Sequence, residues 1–189
     1  PASVVVTADA TQTEIIKAQL GSFAYSSTLP SAQENATTTI ENEVVSLKIA
    51  NKGGYIVEAT IKGMEQFERN SKKDVQIIKN NNAQLNIVLN TKDHRVLNTK
   101  DLFFEPKITT EGQNKVLTLQ LKASENQFLE YRYVLKPNDY MLDFGIKTQG
   151  LTNVIDTSKA LDLEWQLKAF RNEKSISYEN RYTEMVFEY

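Results

Sequence analysis

Val45-Ser46-Leu47-Lys48-Ile49-Ala50-Asn51-Lys52-Gly53-Gly54-Tyr55-Ile56-Val57-Glu58-Ala59-Thr60-Ile61-Lys62 holds two alternating segments around a polar turn. Val45, Leu47 and Ile49 alternate with Ser46, Lys48 and Ala50; after the turn, Tyr55, Val57, Ala59 and Ile61 alternate with Ile56, Glu58, Thr60 and Lys62. A period of two is the mark of strands whose successive side chains point to opposite faces. Asn51-Lys52-Gly53-Gly54 between them reads as a hairpin turn, where glycine supplies positive φ or lets two backbones approach closely.

The same period recurs outward from this hairpin. Leu85, Ile87 and Leu89 form one run, Leu117, Leu119 and Leu121 a second, Tyr131, Tyr133 and Leu135 a third, and Leu142, Phe144 and Ile146 a fourth. Lys136-Pro137-Asn138-Asp139 separates the last two as a second hairpin turn, because proline presets φ and the Asn and Asp side chains bond the local backbone. The most regular run is Leu161, Leu163, Trp165, Leu167 and Ala169, alternating with Asp162, Glu164, Gln166 and Lys168. It predicts one wet and one apolar face, with Trp165 in the core. Met185, Phe187 and Tyr189 close the sequence inside a strand pattern, as in a chain trimmed from a longer one. Short strands without intervening helices of ten or more residues point to an all-β, antiparallel sandwich.

The first forty residues read differently. Thr11 with Glu14 makes a capping-box pattern, Ile15, Ile16 and Leu20 give an apolar side, and Gly21 follows as a stop, so a short helix is expected over 12–20. Residues 26–39, rich in Ser, Thr, Ala, Gln and Asn around Pro30, read as a linker or an extended lead-in to the first strand. The expected organisation is an N-terminal helix and lead-in over 1–39 and a sandwich over 40–189, one domain in all, with the pattern continuing past 189.

Composition narrows the function. The length of 189 residues suits one core, and 40% hydrophobic with 24% charged residues is the balance of a folded globular chain. A formal charge of −2 produces no field that gathers phosphate backbones or anionic lipid, so nucleic acid is not an expected partner. The chain has no cysteine, which excludes thiolate ligands, thiol nucleophiles and disulfides. No uninterrupted apolar run exceeds three residues, far short of a membrane-spanning helix.

Candidates for chemistry are few. His94, in Asp93-His94-Arg95, is the single histidine, and no nucleophile or second ligand stands near it at a motif spacing, so it reads as a loop residue. Glu41 with Glu43, and Asp162 with Glu164, lie two apart on strand faces, a spacing that also describes any solvated face. Leu102-Phe103-Phe104 and Tyr178 with Tyr182 could line a sugar or peptide cleft, although a core of this size needs about this many large side chains. No catalytic residue, metal site or cofactor is expected.

Several stretches in order carry a resemblance: Glu41-Asn42-Glu43-Val44-Val45-Ser46-Leu47-Lys48-Ile49-Ala50-Asn51-Lys52-Gly53-Gly54, Phe128-Leu129-Glu130-Tyr131-Arg132-Tyr133, Lys136-Pro137-Asn138-Asp139-Tyr140, Leu163-Glu164-Trp165, Glu173-Lys174, and Tyr178-Glu179-Asn180-Arg181-Tyr182. From about residue 20 to its end the chain resembles the large periplasmic domain of the bacterial membrane protein insertase YidC, in its Bacteroidetes-like form. The resemblance implies a β-supersandwich similar to galactose mutarotases, standing at the periplasmic face of the inner membrane beside the insertase's membrane-embedded core. It implies an accessory, non-enzymatic role through contacts with Sec translocon components, chaperones and nascent membrane proteins, and a monomeric fragment. It carries over no functional residue, because the insertase groove lies among transmembrane helices and sugar mutarotases use several histidines, where this chain has His94 alone. Two other readings remain: a carbohydrate-binding sandwich, and a surface module whose open strand edges pair with another chain.

Overall fold

The computed structural model describes residues 6–67 and 71–182, with side chains from Gln12 onward. Met185, Phe187 and Tyr189 lie outside the described residues. Helix α1 spans Val6–Leu20, starting earlier than its capping-box pattern suggests, and Gly21 ends it at φ +57°, the left-handed stop that a glycine provides. A short helix α2 (Ala24–Ser27) follows, and Phe23 just before it is fully buried. The Arg95 guanidinium donates from Nε and Nη2 to the Ala18 carbonyl at 3.1 and 2.9 Å, tying the end of α1 to the body.

Antiparallel sheets make up most of the rest. The first runs in the order β1 (Thr37–Glu41), β2 (Val45–Ala50), β3 (Ile56–Glu65), β4 (Asp74–Ile78). The second is formed by β7 (Glu105–Glu111), β8 (Asn114–Ser124), β9 (Gln127–Leu135) and β10 (Leu142–Gln149), in the spatial order 10-9-8-7. In the third, β5 (Ala83–Asn90) lies between β6 (Val96–Asn98) and β11 (Asp162–Leu167). Both expected hairpins are present: β2 pairs with β3 across Asn51–Gly54, and β9 pairs with β10 across the Lys136–Asp139 turn, where Asn138 takes φ +51°. The predicted lead-in is itself partly a strand, since Thr37–Glu41 pairs with β2 over its full length.

One buried cluster joins the sheets into a sandwich. Val45, Leu47, Ile49 and Ala59 come from the first sheet, Ile87, Leu89 and Leu97 from the third. Leu117, Leu119, Leu121, Leu129, Tyr131, Tyr133 and Leu135 fill it from the second. These are the inward positions that the period-two reading selects in β2, β5, β8 and β9. The opposite face of the second sheet carries ion pairs: Lys122 with Glu105 at 2.7 Å, Arg132 with Glu111 at 2.6 Å and Lys147 with Glu130 at 3.6 Å. The Arg132–Glu111 pair is exposed and contributes little stability, whereas Lys122 and Glu130 are largely buried, so their pairs supply the partners that buried charges need.

Trp165 corrects the sequence reading. Its strand is present and in the expected phase, yet Trp165 is 73% exposed, and Leu163 and Leu167 on the same face are exposed too. Alternation reports that one face is apolar; it does not report what covers that face. Among the described residues no layer packs over this face of β11, an end strand of its sheet, and its apolar side chains stand in solvent. Trp165→Ala is therefore expected to change the free energy of unfolding by only about 0.5 kcal/mol, measured by urea denaturation, well below the loss for an interior aromatic.

Candidate interaction surface

The open face of β11 is one wall of a groove. Tyr55 and Ile56 at the start of β3, Leu142 and Phe144 on β10, and Leu163 and Trp165 on β11 line a space of about 360 Å³. Phe144 and Ile146, which the alternation of β10 assigns to the interior, are about two-fifths exposed at 39% and 41%. Two end strands, β10 and β11, thus leave apolar side chains at the same open end of the sandwich.

An aromatic cluster lies in the core beneath the groove and reaches its lining through Tyr133 and Phe144. Tyr131 stacks against Phe104 at a centroid distance of 4.8 Å, and Phe144 meets Tyr131 at 5.6 Å and Tyr133 at 4.8 Å. The Tyr131 hydroxyl donates to Thr99 Oγ1 at 3.1 Å, and that same oxygen accepts from the Ile87 N–H at 2.8 Å. Tyr133 donates to the Gly54 carbonyl at 2.7 Å. Each buried phenol therefore has a partner, as burial demands.

Burial raises both phenols: Tyr131 is pushed from 10.0 up to about 12, chiefly because its charged form would be desolvated, and Tyr133 shifts the same way. The folded state keeps a proton that the unfolded chain releases near the ordinary value of 10.0, so unfolding is favoured as pH rises. The contribution is complete below pH 10.0 and is lost as pH climbs through about 12. Urea titrations across this window are expected to show a decline in stability that is shallower in Tyr131→Phe than in the parent.

The remaining sequence candidates are dispersed. His94 sits exposed at φ +65° in the turn between β5 and β6, its N–H bonded to the Thr91 carbonyl at 3.0 Å. No cluster of metal-ligating side chains occurs among the described residues. Glu41 pairs with Lys62 at 2.9 Å, and Glu43 accepts from the Asn138 N–H at 2.9 Å, contacts that hold both carboxyls below their usual range. Asn42 between them donates to the carbonyls of Lys136 and Asp139, each at 2.7 Å, so the Glu41–Glu43 turn clasps the β9–β10 turn. Glu164 accepts from Asn86 Nδ2 at 2.9 Å on the wet side of β11. Leu102 and Phe104 are core residues, while Tyr178 and Tyr182 lie exposed on α3 (Ile176–Tyr182) with centroids 4.9 Å apart. Sequence reasoning missed the groove because its residues come from six strands, β3, β4, β5, β9, β10 and β11, that are far apart in the chain. A signal for it in the sequence is the apolar face of β11, Leu161, Leu163, Trp165 and Leu167.

Comparison with known proteins matches residues 37–188 to the family described as the YidC periplasmic domain. A membrane protein insertase YidC from Parabacteroides distasonis is 34% identical over 153 residues, covering 80% of this chain and 23% of that protein. Those from Bacteroides fragilis and Porphyromonas gingivalis are 31% and 29% identical, over 82% and 85% of this chain and 24% and 25% of theirs. The chain thus spans about a quarter of the length of these relatives. No solved structure matches it. With the family matched across nearly the whole sandwich and the ordered motifs in place, the chain belongs to the YidC periplasmic domain family.

Proposed function

We propose that this chain is the accessory periplasmic part of a membrane protein insertase, assisting insertion and folding of inner-membrane proteins through protein contacts and not through a reaction of its own. The family match over residues 37–188 carries the reading, and relatives named as insertases support it. The partners proposed are Sec translocon components and nascent membrane proteins, met at the periplasmic face of the inner membrane. No helix among the described residues is long and apolar enough to cross a membrane, so in this reading anchoring belongs to other parts of the longer insertase. The domain organisation proposed keeps 1–39 as helix and lead-in and 40–189 as the sandwich.

The physical support is the apolar lining of the groove. Its walls are side chains such as Leu142, Phe144, Leu163 and Trp165, which offer area for contact and no acid, base or nucleophile. Cross-linking mass spectrometry on the intact insertase in native membranes tests the reading. Cross-links from lysines within 37–188 to translocon subunits or to newly made membrane proteins are expected. A domain that links only to its own polypeptide, with insertion unchanged when 37–188 is deleted, contradicts it. A carbohydrate-binding role draws on the aromatic walls of the same groove, Tyr55, Phe144 and Trp165, and predicts glycan binding in calorimetry that is lost in Trp165→Ala.

A further inference from the structure

Among the described residues β11 pairs with β5 along one edge only, in the register Asp162↔Val88 through Leu167↔Ala83, and stands at the end of the sheet. The Lys168 N–H continues the ladder to the Asn82 carbonyl at 2.8 Å. Backbone groups in an antiparallel strand alternate between its two edges. Lys168, Gln166, Glu164 and Asp162 therefore turn theirs to β5, and the N–H and C=O groups of Leu163, Trp165 and Leu167 point along the open edge. Their side chains are 54%, 73% and 52% exposed.

The sequence on this edge is complementary to itself. Reading outward from Trp165, Glu164 mirrors Gln166, Leu163 mirrors Leu167, and Asp162 mirrors Lys168. We propose that two copies of this chain pair through β11, antiparallel, about a two-fold axis at Trp165. Trp165 then faces Trp165 of the second copy, and each Leu163 faces a Leu167. Each of these pairs exchanges two backbone hydrogen bonds, because these are the residues whose groups point outward. On the wet face each Asp162 meets a Lys168, an opposite-charge pair that occurs twice by symmetry. Moving the axis to Leu163 would set Asp162 against Glu164, and moving it to Leu167 would set Trp165 against Ala169 and leave no opposite-charge pair, so the Trp165 axis is the one of the three that gains from both charge and apolar contact. The apolar sides of both strands join into one surface over the two grooves, in place of the monomer expected from sequence. This pairing stands independently of the insertase reading.

Sedimentation velocity of the 189-residue chain over a range of concentrations tests it. A dimer fraction that rises with concentration is expected. Asp162→Lys, or Lys168→Asp, replaces two attractive pairs by two repulsive ones and weakens association by about ten-fold. The double exchange Asp162→Lys with Lys168→Asp restores the parental affinity, and mixing the two single variants gives a mixed dimer, because each then supplies the charge the other lacks. Circular dichroism on the variants checks that these exposed substitutions leave the fold intact. A monomer at every concentration overturns the proposal, including one whose Trp165 is shielded by its own chain or only by an added extended apolar peptide. Single variants that associate like the parent, or a double exchange that fails to restore pairing, also overturn it.

Discussion

Tyr131→Ala lowers the free energy of unfolding by about 3 to 5 kcal/mol, the range for removing a large aromatic from a packed interior. Tyr131 is the largest of the fully buried side chains, touching Phe104 and Phe144 and anchoring its hydroxyl to Thr99. Truncation opens a cavity where three sheets meet and removes one of the two side-chain hydrogen bonds that tie Thr99 to its neighbours. Urea denaturation measures the loss, and Tyr131→Phe separates its parts, since it keeps the ring and forfeits only the hydroxyl, a loss of about 1 kcal/mol. A loss below about 1 kcal/mol for Tyr131→Ala would place this residue outside the core.

Gly54→Ala is the second large effect, and it acts through the backbone. Gly54 has φ +68°, which an L side chain adopts only with strain, and a Cβ placed there would stand 2.9 Å from Tyr131 Cδ2 and 3.3 Å from Phe104 Cδ2. Strain of roughly 1 to 3 kcal/mol adds to an overpacking loss of about the same size, because the obstructing atoms are ring carbons fixed in the core. The Gly54 carbonyl also accepts from Tyr133, so a shifted turn would strand a buried phenol. Gly112→Ala is the control: it shares a positive φ, +63°, but its Cβ would meet nothing within 4 Å. The expected order of stability is parent, Gly112→Ala, Gly54→Ala.

The inward phase of β2, β5, β8 and β9 was legible because period two fixes which side chains share a face, and there a facing sheet buries them. The glycine pair was legible for a related reason, since a tight turn against the core leaves no room for a side chain. Other elements left no such mark. β1 reads Thr-Thr-Thr-Ile-Glu, with Ile40 as its one buried side chain, and Pro106 within β7 is a residue that weighs against a strand, tolerated because β7 lies at the end of its sheet. Trp165 misled for the opposite reason. Its pattern is the cleanest in the chain, but burial depends on a second layer that local alternation does not encode. The groove was illegible on the same account: it exists where two apolar end strands, β10 and β11, leave their faces uncovered.

That uncovered edge is the claim on which the interaction reading turns, and the chain contains a single tryptophan to report on it. Acrylamide quenching of Trp165 fluorescence, recorded at dilutions low enough to separate any paired copies, tests it most directly. Red-shifted emission with ready quenching is expected of an indole standing in solvent on the open face of β11. Blue-shifted emission that resists quencher at every dilution would put Trp165 in the interior and close the edge.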